Sequence, residues 1–227
     1  QSRQLAALNA VGRAVSATLD SQGVLNAAVS GALPVAGSDA IAILMRESGS
    51  LRYRAWRQQS EPHVALPDAS ISLKRGIVSI VFAEQTAVSL HTLPSDDRFI
   101  PGHDCPPGYS AQSMMAAALV VRGRSMGVIC AYNPLDGEFS EADLDLFVSL
   151  ARSVSEAIEN AWLFQRIRLR QQELLESRNT LQALIDGIPD PIYTINNDWQ
   201  IVSINASKAR ELDGDDENTA GQHCYRL

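Results

Sequence analysis

The chain lacks most features that would commit it to covalent, redox or metal chemistry. Its three cysteines, Cys105, Cys130 and Cys224, are too few and too scattered for a disulfide framework. The four histidines, His63, His91, His103 and His223, lie far apart, and neither His-x-x-x-His nor Cys-x-x-Cys spacing occurs. Zinc and iron–sulfur clusters therefore have no signature, and no metal ligands are assigned. There is no phosphate-cradling glycine loop and no Gly-x-Ser-x-Gly elbow. Basic residues are in the minority, 19 against 26 acidic, and the net charge of −7 argues against a nucleic-acid partner. No apolar run reaches the ~20 residues of a membrane span, and no signal peptide is visible, so a reducing, cytoplasmic location is expected. The chain begins with Gln1, which suits a piece cut from a longer protein.

What is present centres on one uninterrupted stretch, 139–186, without Pro or Gly and rich in Leu, Ala, Arg, Gln and Glu. Ser140 and Asp143 form a capping-box pattern, and Phe139 with Leu144 is spaced as a hydrophobic staple. A helix of that length would run about 70 Å, more than one small domain needs. Ahead of it, Leu5, Leu8, Val11, Val15 and Leu19 recur at helical spacing over 2–19. Asp20 then caps a second helix carrying Val24, Leu25, Ala28, Val29 and Leu33, expected to stop at Pro34. Strands are predicted at 38–46, 51–57, 87–90, 114–121 and 125–132, with a helix over 76–84 and a proline-rich loop over 94–112. That order gives an α+β fold, an antiparallel sheet with helices on one face.

The segments DAIAILMRESGSLRYRAW, ISLKRGIVSIVFAEQTAVSL, SDDRF and MMAAALVVRGRSMGVICAYNPLDGEFSEADLDLFVSLARSVSEAI, in this order, resemble a GAF domain over 20–160. The later stretch LQALIDGIPDPIYTINNDWQIVSINASKARELDGDD resembles the opening of a PAS domain, with strands at 192–195 and 201–204 and Asn205 capping a short helix. The expected organisation is a dimerisation helix over 1–19, a GAF-like sensory domain over 20–160, a signalling helix over 161–187 and a truncated PAS-like α/β part over 188–227.

The GAF resemblance places a ligand pocket between the sheet and its covering loops, with Arg54, Trp56, Phe82, Asp97, Arg98, Phe99, Cys105, Tyr109 and Met114 as candidate lining residues. The plainer explanation of the aromatic ones is core filling. GAF domains that bind cyclic nucleotides carry a motif that Asn133, Phe139 and Asp143 match in part, with Pro134 and Leu144 departing from it. A staple and a cap already account for Phe139 and Asp143. For Cys105 in PGHDCPPGY the GAF resemblance implies two alternatives, bilin attachment or methionine-sulfoxide-reductase-like chemistry, and haem through a single histidine is a third. Against the reductase, KRGIVSIVF holds no cysteine. Cys130 in GVICAY reads as a small buried hydrophobe. The acidic stretch 213–221 lacks EF-hand spacing.

In the long helix, Phe147, Leu150, Val154, Ala157 and Ala161 share one phase, while Leu163, Ile167, Leu174, Leu181 and Leu184 fall on another, interrupted by Arg170 and Ser177. The first set suits docking on the helix's own domain, the second a parallel two-chain coiled coil. The expected function is a non-enzymatic sensory input module of a bacterial signal-transduction protein. Its unidentified small ligand would act through a parallel homodimer, formed by the N-terminal and long helices, on an output such as a two-component histidine kinase or cyclic-di-GMP enzyme. The resemblance does not name a cofactor.

Overall fold

The computed structural model describes residues 21–61, 65–212 and 221–226. The helix expected over 2–19, its successor's cap Asp20, His63 and nearly all of the acidic stretch 213–221 lie outside the described residues. The chain divides into two compact units, 1–165 and 166–227.

The first unit is built on six antiparallel strands. These are β1 (Ser38–Glu47), β2 (Ser50–Gln58), β3 (Ser70–Ser72), β4 (Ala87–Leu90), β5 (Met114–Val121) and β6 (Arg124–Pro134), in the order β3-β2-β1-β6-β5-β4. Two hairpins use two-residue turns with both central residues at positive φ, Ser48-Gly49 and Arg122-Gly123. Such turns match the right-handed twist of paired strands and set the pairing next to the turn.

Alternation along the strands gives the sheet two apolar faces. Ile41, Ile43, Met115, Ala117, Ile129 and Ala131 face α1 (Ser21–Ala36) and the first half of α3 (Glu141–Asp186). From α3 this core takes Phe147, Leu150, Val154, Ala157 and Ala161, the first of the two stripes expected from the sequence. Ala42, Leu44, Ala116, Val128 and Cys130 point the other way, against α2 (Ile77–Glu84) and the long loop before β5. The sheet is thus α+β with its two longer helices on one face as expected, while the short α2 covers the opposite face.

The capping box at the start of α3 forms. The Asp143 amide donates to Ser140 Oγ at 3.2 Å and the Ser140 amide donates to Asp143 Oδ2 at 2.9 Å. Phe139 is buried and Leu144 packs on the same core, as a staple requires. One boundary differs from expectation. Pro34 lies inside α1, which continues to Ala36. In the last turn the missing Pro N–H forfeits only one bond, and Gly37 at φ 58 supplies the left-handed stop.

In the second unit, β7 (Tyr193–Ile195) and β8 (Ile201–Ile204) pair antiparallel, and α4 (Ala206–Glu211) follows. Asn205 is buried and ties this unit together. Its Oδ1 accepts from the Lys208 amide at 3.0 Å, as the predicted cap, and from the Ile192 amide at 2.9 Å. Its Nδ2 donates to Asp190 O at 2.9 Å. Asp186, the last residue of α3, accepts from the Ala206 amide at 2.8 Å. Between 163 and 184 the second stripe of α3 is exposed, from 37% at Leu163 to 70% at Leu174.

Candidate ligand site

The face of the sheet opposite α1 is closed by α2 and the loop that carries His103, Asp104 and Cys105. Asp104 is fully buried there. Its Oδ1 accepts from the Val78 amide at 3.0 Å, in the first turn of α2, and its Oδ2 accepts from the Ile100 amide at 2.8 Å. His103 Nδ1 lies 3.2 Å from Asp104 Oδ1, and Nε2, facing a carbonyl that can only accept, donates to Ser72 O at 3.1 Å. The Tyr132 hydroxyl donates to the Asp104 carbonyl at 2.9 Å. A helix N-terminus is a ready anion site, but at α2 the protein supplies the anion itself. Gly76 makes the close approach possible. At φ 91 it adopts a conformation suited to glycine, and a Cβ there would sit 2.5 Å from His103 Nδ1.

Beside this latch lies an open groove of about 750 Å³, bordered by Asp39 from β1, Trp56 from β2, Pro106, Tyr109 and Asn133 at the end of β6. Tyr109 stands edge-on to Trp56, with ring centroids 5.2 Å apart at 77°, and 5.7 Å from the buried Tyr132. The Tyr109 hydroxyl donates to Asp39 Oδ2 at 2.7 Å and accepts from Asn133 Nδ2 at 3.1 Å. Burial, and then the Asp39 carboxylate, push the Tyr109 phenol well above its ordinary pKa, so it is a neutral donor at physiological pH. Asn133 Oδ1 also accepts from the Gln112 amide at 2.8 Å, which fixes the loop to β6.

The structure brings only part of the predicted set to this groove. Trp56 and Tyr109 line it. Phe82, Cys105 and Met114 are buried in the core on this side of the sheet, with Phe99 partly buried against it. Asp97 and Arg98 are exposed, and Arg98 pairs with Asp96 at 2.7 Å. The guanidinium holds the Asp96 carboxyl down at about 2. Arg54 is on the other face, where it pairs with Glu47 and borders a cleft with Gln22, Ile158 and Trp162. The cause is a bulge in β2. Ile43 pairs with Ala55 but Leu44 pairs with Tyr53, so Arg54 is an extra residue and the alternation reverses across it. Strict alternation from Arg54 to Trp56 placed both on one face.

The cyclic-nucleotide resemblance finds scaffold roles at all three positions. Asn133 holds a loop, Phe139 is buried in the helical core and Asp143 completes the cap. Asp39 and Asp104 were not anticipated. Each is a single acidic residue, one at the start of an apolar strand and one in a loop, and no spacing rule singles it out.

Cys105 is 2% exposed and its Sγ faces Tyr109 O at 3.6 Å. Burial raises the thiol, and it pushes Cys130 up to about 12. Both thiols are thereby kept protonated near neutrality, the opposite of what a nucleophilic cysteine needs. Maleimide labelling of the folded chain at neutral pH is expected to modify the partly exposed Cys224 well before Cys105 and Cys130. Equal, prompt labelling of all three would contradict this packing. Among the described residues no group of three or more His, Cys, Asp or Glu side chains is placed to hold a metal ion. No helix among them is long and apolar enough to cross a membrane.

The family model described as GAF domain matches residues 20–158. A probable 3',5'-cyclic phosphodiesterase, pde-5, of Caenorhabditis elegans is 27% identical over 101 residues. That match takes in 44% of this chain, and the chain spans only 14% of the relative's length. The GAF domain of an Acinetobacter phosphoenolpyruvate-protein phosphotransferase superposes with a TM-score of 0.55 at 21% identity, over 72% of this chain and 97% of its own. A free methionine-R-sulfoxide reductase of Neisseria meningitidis, solved with its substrate, gives 0.58 at 17% identity, over 70% and 90%. At such identities the likeness is one of fold.

Proposed function

Because the chain belongs to the GAF domain family, we propose that it is the sensory input part of a larger bacterial signalling protein. A small ligand occupies the groove beside Trp56 and Tyr109, and α3 carries the response onward. Residues 188–227 are read as the start of a PAS-like domain, and the output beyond them as a histidine kinase or cyclic-di-GMP enzyme. The chain itself performs no catalysis in this reading, and it works in the cytoplasm.

One observation carries the proposal. The single helix α3 is buried in the GAF core through Ala161 and then exposes Leu163, Ile167, Leu174, Leu181 and Leu184 at coiled-coil spacing. Exposed leucines at this spacing call for a partner helix, and a second copy in parallel register is the simplest one. In that register Glu173 and Arg178 fall at g and e, where opposite charges meet across a parallel pair. Arg170 and Ser177 fall within the seam and weaken it, which suits a pair whose arrangement can change. By linkage, a ligand alters that arrangement only as far as it binds the two forms unequally.

Sedimentation of the 227-residue chain tests the output half of the reading. A dimer is expected, and Leu174→Glu is expected to shift it to monomer while leaving the GAF unit folded. A chain that stays monomeric at the highest soluble concentration sinks the dimeric mechanism. Native mass spectrometry of freshly purified protein tests the input half. A co-purified small molecule that Trp56→Leu releases supports the groove, and one that Trp56→Leu leaves in place argues against it.

A further inference from the structure

The groove has a marked chemical bias. Asp39, Glu61 and Asp68 line it, and among its described lining residues there is no Lys, Arg or His. Among the described residues, Arg52 pairs with one of these carboxylates, 3.7 Å from Asp68, whose side chain is 99% exposed and therefore screened by solvent. Asp39 is different. Tyr109 holds its Oδ2 at 2.7 Å, and Asn133 holds Tyr109 in turn, so the carboxylate is fixed in direction. Its Oδ1 accepts no hydrogen bond from the described residues. Half-buried Trp56 stands in the same wall, edge-on to Tyr109, and aromatic faces attract cations through their quadrupole.

Among the described lining residues, an anionic ligand would meet these carboxylates with no counter-charge. The N-terminus of α2 is already occupied by Asp104. The volume, about 750 Å³, is that of a small-molecule site.

Resting on the reading of this groove as the ligand site, we propose that it takes a small organic cation. An ammonium or guanidinium head is seated against Trp56 and Tyr109 and neutralised by Asp39. The ligand class is thus set by a fixed carboxylate within an aromatic wall, and the exposed Glu61 and Asp68 add only attraction at longer range.

Calorimetric titration of the full chain with choline, agmatine, succinate and 3,3-dimethylbutan-1-ol, the neutral isostere of choline, tests this. At least one of the two cations is expected to bind, succinate not to bind, and the neutral isostere to bind about tenfold more weakly than choline. Asp39→Asn keeps an acceptor for Tyr109, so the fold is retained, while cation affinity is expected to fall about tenfold. Trp56→Phe is expected to keep most of the affinity and Trp56→Leu to lose it. Equal binding of choline and its isostere, or an unchanged affinity in Asp39→Asn, overturns the cation assignment. If Trp56→Leu still abolishes that binding, the groove survives as the ligand site. No cation binding up to about 10 mM also overturns the assignment. A co-purified ligand insensitive to Trp56→Leu would then remove the groove reading as well.

Discussion

Asp104→Ala is expected to lower the thermal midpoint of the GAF unit by about 10 °C, from a loss of ~3–5 kcal/mol at the ~2–4 °C per kcal/mol of a domain this size. The size follows from what the carboxylate does. It is fully buried and accepts from two backbone amides, Val78 and Ile100, that belong to different segments. Removing it leaves the buried Val78 amide and the partly buried Ile100 amide without an acceptor, each costing ~1–3 kcal/mol. It also strips His103 Nδ1 of its polar partner. Asp104→Asn can satisfy only one amide through its carbonyl oxygen and should fall between alanine and the parent. Differential scanning calorimetry decides the matter. A midpoint within about 2 °C of the parent would mean that the latch contributes little.

Gly127→Ala is the second large effect expected. Gly127 lies in β6, between β1 and β5, opposite Met45 on one side and Leu119 on the other. A Cβ there would come within 2.2 Å of the Leu44 carbonyl oxygen and 2.9 Å of Met45 Sδ. A sulfur at the end of a flexible side chain can move, but a backbone oxygen inside a central ladder cannot move without breaking its pairing. The result is an overpacked strand pair and a loss of about 3 kcal/mol, read as a lower urea midpoint. An unchanged midpoint would show that β1 and β6 can separate locally, contrary to their continuous register from Ser38 to Met45.

Local chemistry was legible in the sequence where one residue type answers one local need. Ser140 and Asp143 cap α3, Asn205 caps α4, and the strands at 87–90 and 114–121 fall at the expected bounds, because each depends on neighbours within a few positions. The two phases of apolar residues in α3 could be read for the same reason, and burial follows the first of them. The site was less legible. Asp104 reaches Val78, 26 residues away, and Tyr109 reaches Asp39, 70 residues away. Nothing in either local sequence encodes the partner. Pro34 misled in a different way, since the rule that proline ends a helix weakens in the last turn, where little of the hydrogen-bond ladder remains to be broken.

The extra residue in β2 has a consequence for how this surface can diversify. Deleting Arg54 alone would restore strict alternation to the strand with hardly any change in its composition. Ala55, Trp56 and Arg57 would keep their places opposite Ile43, Ala42 and Ile41, so Trp56 would stay in the groove wall and the pair of Arg54 with Glu47 on the helix side would be lost. A one-codon loss at this point would therefore remove a cation from the cleft beside Gln22 and Trp162 while leaving the aromatic wall of the groove as it is. Strand β2 carries a spare letter at the bulge, so its helix side can lose a residue there while its groove side keeps the same reading.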